Sequence, residues 1–243
     1  MIEIVGLRKH LAGQEVLRGL DLAIPTGRIT AIIGRSGGGK TVLLKQIVGL
    51  LRPDAGRILV DGQDVTRLAG RPLRRLRDRF GLVFQGGALF DSLSVFDNVA
   101  FTLREKTRMP EDEIAARVRA RLDDVGLGDK GARYPAELSG GMRKRAALAR
   151  ALIQDPEIAL FDEPTTGLDP ILLHSMQRLI AAAWRRLGFT GVVVSHDIPE
   201  VFDIAHHVAL LDEGVIVEEG TPQQIQASAN PIVRRFLTGG IEG

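Results

Sequence analysis

Leu138-Ser139-Gly140-Gly141-Met142 makes sense only as half of a site. A Ser-Gly-Gly turn opening a helix presents main-chain N–H groups and the positive end of a helix dipole, a nest for an anion. The chain carries a second nest upstream. Gly34-Arg35-Ser36-Gly37-Gly38-Gly39-Lys40-Thr41 fits the P-loop pattern G-x-x-x-x-G-K-[ST], whose backbone amides surround phosphate oxygens at a helix N-terminus. It follows the apolar run Ile29–Ile33 and precedes a helical pattern, which is the setting the motif requires. Lys40 is expected to reach the β- and γ-phosphates and the Thr41 hydroxyl to ligate Mg²⁺. Gly37, Gly38 and Gly39 let backbone amides approach without a Cβ in the way. Downstream, Ile158-Ala159-Leu160-Phe161 ends in Asp162 and Glu163, carboxylates suited to hold Mg²⁺ and polarise a water. A buried salt-bridge pair is the alternative, but Pro164 after a strand end implies that both point outward into a loop. One phosphate cannot easily use two nests of the same chain.

Around these motifs, strand-like runs alternate with helical patterns, which predicts an α/β fold. The predicted strands are Ile2–Leu7, Val16–Ile24, Ile29–Ile33, Arg57–Val60, Gly81–Phe84, Ile158–Phe161, Val192–Ser195, Val208–Asp212 and Val215–Glu219. Asp61-Gly62 and Glu213-Gly214 read as tight turns. The helix after the P-loop is predicted from Lys40 to about Leu50, stopped by Pro53. The block from about Ser94 to Ala136 reads as mostly helical, and Ile114, Val118, Leu122 and Val125 recur on one face as a core stripe.

With 243 residues, 44% of them apolar, the chain can bury a substantial core as one large domain or two tightly packed lobes. A net charge of +2 and the lack of a long basic tail give no reason to expect a nucleic-acid partner. The absence of cysteine excludes disulfides and thiolate metal sites. Met1-Ile2-Glu3-Ile4-Val5 enters a strand pattern with no signal-like leader. No apolar run approaches the roughly 18–20 residues of a membrane span. A cytosolic protein is therefore expected, with any membrane role exerted through a partner. With the sequence ending at Gly243, soon after the helix signal Pro231–Leu237, no appended regulatory domain is expected.

Taken together, the motifs resemble the ATP-binding cassette (ABC) family, from about Ile2 to about Leu237. The resemblance implies one ABC ATPase nucleotide-binding domain over 1–243. Its RecA-like mixed core and antiparallel β subdomain would take about 1–93 and 155–243, and an inserted helical subdomain about 94–154. It implies ATP and Mg²⁺, and a head-to-tail dimer in which the Ser139-Gly140-Gly141 nest of one copy closes on the nucleotide of the other. Asp162 would position Mg²⁺ through water, and Glu163 would orient or deprotonate the attacking water. Gln85, after the strand Gly81–Phe84, resembles the Q-loop glutamine that links Mg²⁺ and water to the helical subdomain. Thr166-Gly167-Leu168-Asp169 resembles the D-loop, and His196 the switch histidine that contacts the γ-phosphate. Alone, Gln85 would read as a solvated turn residue and His196 as structural; their order in the chain reverses that. His206-His207 is an adjacent pair whose side chains diverge, which disfavours a metal site.

Two departures stand out. The position at which ABC ATPases stack an aromatic on adenine falls near His10-Leu11, and neither is aromatic in that sense. Such stacking is worth about 1–3 kcal/mol, so the resemblance implies weaker or less base-selective nucleotide binding unless His10 substitutes. The commonest signature ends in glutamine, whereas this one continues Met142-Arg143-Lys144-Arg145.

The run from Leu138 through Met142-Arg143-Lys144-Arg145 to Ala151 is similar to the ATPases of Mla-type systems, which serve MCE-domain lipid transporters. Phe84 to Phe101 and Val194-Ser195-His196-Asp197-Ile198-Pro199-Glu200 agree with that group, and Pro231–Leu237 does so loosely. The resemblance implies an ATPase at the cytoplasmic side of the inner membrane, driving phospholipid movement between inner and outer membranes. Its implied partners are an integral-membrane permease, an MCE-domain protein and a small STAS-type regulatory subunit. The rival is an ATPase of an importer for an amino acid or a metal chelate. A soluble DNA-repair or ribosome-acting ABC protein would need a second cassette or a long insertion, and a non-hydrolysing module is opposed by intact Lys40, Asp162, Glu163 and His196. Ala88, Leu89, Phe90, Val95 and Phe96 would form the groove for a coupling helix of the permease, or else belong to the core. Arg67, Arg71, Arg74, Arg75, Arg77 and Arg79 read as a solvated helix face, or as a patch near anionic headgroups or a partner.

Overall fold

The computed structural model describes residues 1–238; Gly243 and the four residues before it lie outside the described residues. Its strands are β1 (Ile2–Leu11), β2 (Gln14–Ile24), β3 (Ile29–Ile33), β4 (Ala55–Val60), β5 (Gln63–Asp64), β6 (Phe80–Val83), β7 (Ile158–Asp162), β8 (Thr190–Ser195), β9 (His207–Asp212) and β10 (Val215–Gly220). They form two sheets, an antiparallel one in the order β2-β1-β4-β5 and a six-stranded one in the order β10-β9-β3-β8-β7-β6. In the larger sheet β6, β7, β8, β3 and β9 run parallel, and only β10 is antiparallel. Every residue of β3, β7 and β8 is buried, as expected for parallel strands covered on both faces.

The helices are α1 (Lys40–Ile47), α2 (Gly70–Arg77), α3 (Val95–Lys106), α4 (Glu111–Asp124), α5 (Gly140–Leu152), α6 (Pro170–Leu187), α7 (Pro222–Gln226) and α8 (Pro231–Leu237). Side-chain alternation along β3 divides the core. Ile29, Ala31 and Ile33 join a cluster with α3, α4, α5 and α6, whereas Ile32 joins Leu17, Leu43 and Ile58 on the opposite face. The stripe Ile114, Val118, Leu122 and Val125 is buried in the first cluster.

Some boundaries differ from the sequence reading, each for a local reason. The helix α1 stops at Ile47, not near Leu50, because Gly49 takes a left-handed φ of +69° and Leu50 N–H returns to Lys45 O at 2.8 Å. Pro53 is not what ends it. The strands β1 and β2 run on to Leu11 and back from Gln14, joined by Ala12-Gly13 with φ of 50° and 81°. The strand β6 ends at Val83, which leaves Phe84 outside it. Asp61-Gly62 and Glu213-Gly214 do form turns with positive φ at both residues, the geometry that suits a two-residue hairpin.

The arginine run is not a uniformly solvated face. Arg77 donates to Val48 O and Gly49 O at 3.2 and 2.6 Å, closing the C-terminal end of α1. Arg79 pairs with Asp61 and Glu157, and Arg67 with Asp64. Arg71, Arg74 and Arg75 alone stay exposed with no ion pair among the described residues. Among those residues no helix is long and apolar enough to cross a membrane.

Candidate active site

The parallel strands deliver their chemistry at one edge, the carboxyl ends, where open α/β sheets bind ligands. The strand β3 runs into Gly34–Thr41, β6 into Gln85, β7 into Asp162-Glu163 and β8 into His196. At Gly34 a Cβ would lie 2.2 Å from Leu211 O, and at Gly39, where φ is +96°, 3.0 Å from a Leu17 methyl. Both positions therefore require glycine.

Lys40, 4% exposed, donates to Gly34 O at 2.7 Å and Arg35 O at 2.8 Å, so its ammonium sits inside the loop that carries it. Burial pushes its pKa down, against the raising influence of Glu163 and Asp162. The Thr41 hydroxyl donates to Asp162 Oδ1 at 2.8 Å. Burial raises the Asp162 pKa, with the Thr41 bond opposing it. A hydroxyl and a carboxylate placed together this way are hard oxygen donors, which fits Mg²⁺ completed by phosphate and water.

Glu163 is the node of the site. Its Oε2 accepts from Gln85 Nε2 at 3.0 Å and from Thr166 Oγ1 at 2.9 Å. Its Oε1 lies 3.5 Å from His196 Nδ1 and 4.0 Å from Lys40 Nζ. The two carboxylates do not point outward, which corrects the sequence expectation: Asp162 is 6% exposed and the Glu163 side chain 13%. The reason is that Asp162 is still in register with Val194 in the sheet, so the chain turns inward against the P-loop. Glu163 itself has φ +48°, a costly conformation for a residue with a Cβ.

The other nest lies apart. Ser139 caps α5, its Oγ accepting from Met142 N at 3.3 Å, and Ser139 and Gly140 are exposed. Among the described residues no hydrogen bond joins Ser139, Gly140 or Gly141 to Gly34–Thr41. Gly141 packs where a Cβ would meet Leu172 at 3.2 Å and Leu168 at 3.8 Å, which sets the nest beside the D-loop-like turn. Asp169 caps α6, accepting from Leu172 N at 3.0 Å.

His10 is held by Asp54, through its main-chain N–H at 2.6 Å and its ring Nδ1 at 3.4 Å. The cleft beside Gly37 and Gly38 is instead lined by Gln14, Val16, Arg18 and Gly214. Val16 and Arg18 carry no motif signal in the sequence; only the register of β2 brings them there. His206 Nδ1 accepts from Ile29 N–H at 3.1 Å, while His207 faces Glu219, so the pair does diverge.

This arrangement, a P-loop and a strand-end carboxylate pair on one sheet with a separate serine-capped nest, matches the profile of the ABC transporter family over residues 17–166. The chain belongs to the ABC transporter family. It has the fold of an ABC ATPase nucleotide-binding domain, binds nucleotide, and hydrolyses ATP in the service of transport. It is 45% identical to the intermembrane phospholipid transport system ATP-binding protein MlaF of Haemophilus influenzae, over all of this chain and 92% of that one. A probable ribonucleotide transport ATP-binding protein, mkl, of Mycobacterium leprae is 41% identical over 98% of this chain and 69% of its own length. Among solved structures, a dimeric ATP-binding cassette in a post-hydrolysis state with ADP and Pi superposes with a TM-score of 0.84 at 30% identity, covering 91% of this chain and 99% of that one.

Proposed function

We propose that two copies of this ABC ATPase close head to tail on two ATP molecules and that their opening and closing drives a membrane permease which moves phospholipids between the inner and outer membranes. The observation that carries the dimer is the Ser139–Gly141 nest: Ser139 and Gly140 are exposed at its mouth, and among the described residues it shares no hydrogen bond with the P-loop of its own chain. A second copy supplies the missing nest. In this reading the P-loop amides, with Arg35 and Ser36 among them, cradle the phosphates, and Lys40 leaves its loop carbonyls for the β- and γ-oxygens. Glu163 takes the proton of the attacking water, Gln85 and His196 orient that carboxylate and the γ-phosphate, and Asp169 works across the dimer seam. Thr41, Asp162 and Gln85 would hold Mg²⁺, which neutralises phosphate charge when bound.

About 94–154 would be the helical subdomain, carrying the signature nest at α5, with about 1–93 and 155–243 as core and β subdomain. The lipid assignment rests on the 45% identity to the Haemophilus protein along the whole chain. It brings with it an MCE-domain protein, a STAS-type subunit and a peripheral place at the cytoplasmic face of the inner membrane. The mycobacterial relative's name supports a second reading, transport of another solute class, beside the importer of an amino acid or metal chelate. Purifying the native complex and identifying its bound small molecules by mass spectrometry separates them. Phospholipid retained in proportion to the complex supports the proposal; a retained nucleotide, amino acid or chelate, with lipid at background, refutes it.

A further inference from the structure

One turn into α5, beyond the exposed Ser139, lies a cation that the nucleotide chemistry above does not use. Lys144 Nζ lies 3.3 Å from the main-chain O of Glu163 and 3.5 Å from that of Gln85, donating to both. The side chain is half-buried, and that burial lowers its pKa against the pull of the Asp197 and Glu163 carboxylates. Arg150, on the same helix face, donates to Ala88 O at 2.7 Å and Gly87 O at 3.1 Å. Between them Ala147 meets Gly87, where a Cβ would stand 3.5 Å from the alanine methyl. Positions 144, 147 and 150 fall on one strip of the helix, and that strip grips residues 85–88. Neither cation has a carboxylate within ion-pair distance among the described residues. Both donate to main-chain carbonyls, and the Arg150 guanidinium also lies 5.8 Å from the Phe90 ring centroid.

The grip matters most at Glu163. Its φ of +48° is held from one side by the sheet, through its N–H to Val194 O at 3.0 Å. On the other side its carbonyl has only Lys144 and a 3.4 Å contact from Thr166 N–H. A strained backbone persists only while its surroundings over-determine it. The sheet contact is fixed by strand pairing, whereas the Lys144 contact is carried by α5, the helix that Ser139 caps. We infer that Lys144 is a positioning residue that ties the helix opened by Ser139 to the main chain of Gln85 and Glu163, so that the placement of the signature nest sets the geometry of the catalytic carboxylate. This rests on the reading in which Glu163 activates water.

The test compares Lys144→Met, Lys144→Arg and Glu163→Gln in the assembled transporter, by ATP turnover and thermal unfolding. Lys144→Met is expected to lower kcat about tenfold or more, since small misplacements at a reacting centre cost up to ~10²-fold. The KM for ATP should stay within about threefold of wild type, because the Lys144 ammonium is committed to the main-chain carbonyls of Gln85 and Glu163. Lys144→Arg, which keeps a donor cation, should recover most of kcat at an unchanged Tm. Wild-type kcat in Lys144→Met, or an equal loss in the Met and Arg variants, overturns the inference. Should the Met variant not assemble, Lys144→Gln, neutral but of similar polarity, carries the same comparison. If Glu163→Gln turns over ATP like the wild type, the underlying reading falls; if it is inactive while Lys144→Met is unaffected, only the Lys144 inference falls.

Discussion

At the scale of single residues, the site is a set of side chains paired with one another. Glu163 contacts Gln85, Thr166, His196 and Lys40 at once, so its carboxylate is aimed by bonds from several loops. Removing a general base costs about 10²–10⁴ in rate. Glu163→Gln should therefore bind ATP in a fluorescent-nucleotide titration with little change and lose that much turnover; undiminished turnover removes Glu163 from the chemistry. Ser139 has no such partners beyond Met142 N–H. Ser139→Arg should abolish hydrolysis by the complex while the isolated chain still binds ATP, since its own P-loop is untouched. Away from the site, Asp54 has its pKa lowered to about 2 by the Lys9 hydrogen bond first and the His10 N–H second. A carboxyl depressed on folding stabilises above its unfolded value, near 3.9, and that contribution disappears as pH falls towards the folded value. Thermal melts should thus show Asp54→Asn below wild type at pH 7, with the gap closing as pH falls from about 4 to about 2. A gap that persists at the acid end would exclude the ion pair as its source.

At the scale of elements, the loop after β6 shows how half a predicted patch becomes core. Val95 is fully buried and Leu89 and Phe96 pack on the core, whereas Phe90 and Phe101 stay exposed with ring centroids 4.8 Å apart. Buried Asn98 holds this loop in place through Phe90 N–H and three main-chain carbonyls. The exposed aromatic pair left for a partner is Phe90 with Phe101, a residue outside the groove expected from the sequence. Phe90→Glu should reduce co-purification with the permease at unchanged folded yield; a fall in yield instead would place Phe90 in the core. The arginine helix α2 divides the same way. Arg77→Ala loses two bonds to the end of α1 and should cost about 1–2 kcal/mol in urea denaturation. Exposed Arg71→Ala should stay within about 0.5 kcal/mol.

At the scale of the whole molecule, the six-stranded sheet explains why residues more than a hundred positions apart meet. Lys40, Gln85, Glu163 and His196 leave four parallel strands at the same edge. The Ser139 nest sits on α5 and, among the described residues, shares no hydrogen bond with the P-loop at that edge. A closed dimer should follow in the Glu163→Gln protein with ATP, seen as a doubling of mass in light scattering, and Ser139→Arg in the same background should remain monomeric. A strictly monomeric Glu163→Gln protein at saturating ATP would contradict the head-to-tail proposal.

The sequence by itself determined the family and the motif residues, because phosphate chemistry demands glycines, a lysine and strand-end carboxylates at short, fixed spacings that survive in one dimension. It also placed the strands other than the two-residue β5, most directly β3 and the apolar part of β7, because a parallel strand buried on both faces reads as an apolar run. Only the tertiary structure decided which way Asp162 and Glu163 face, that Val16 and Arg18 line the cleft beside the P-loop, and that Lys144 reaches two main-chain carbonyls. Those contacts span distant segments and depend on strand register and helix rotation, which no local spacing records. The same holds for Arg77 and Arg79: their charge is visible in the chain, but the carbonyls and carboxylates that absorb it are brought there by the fold.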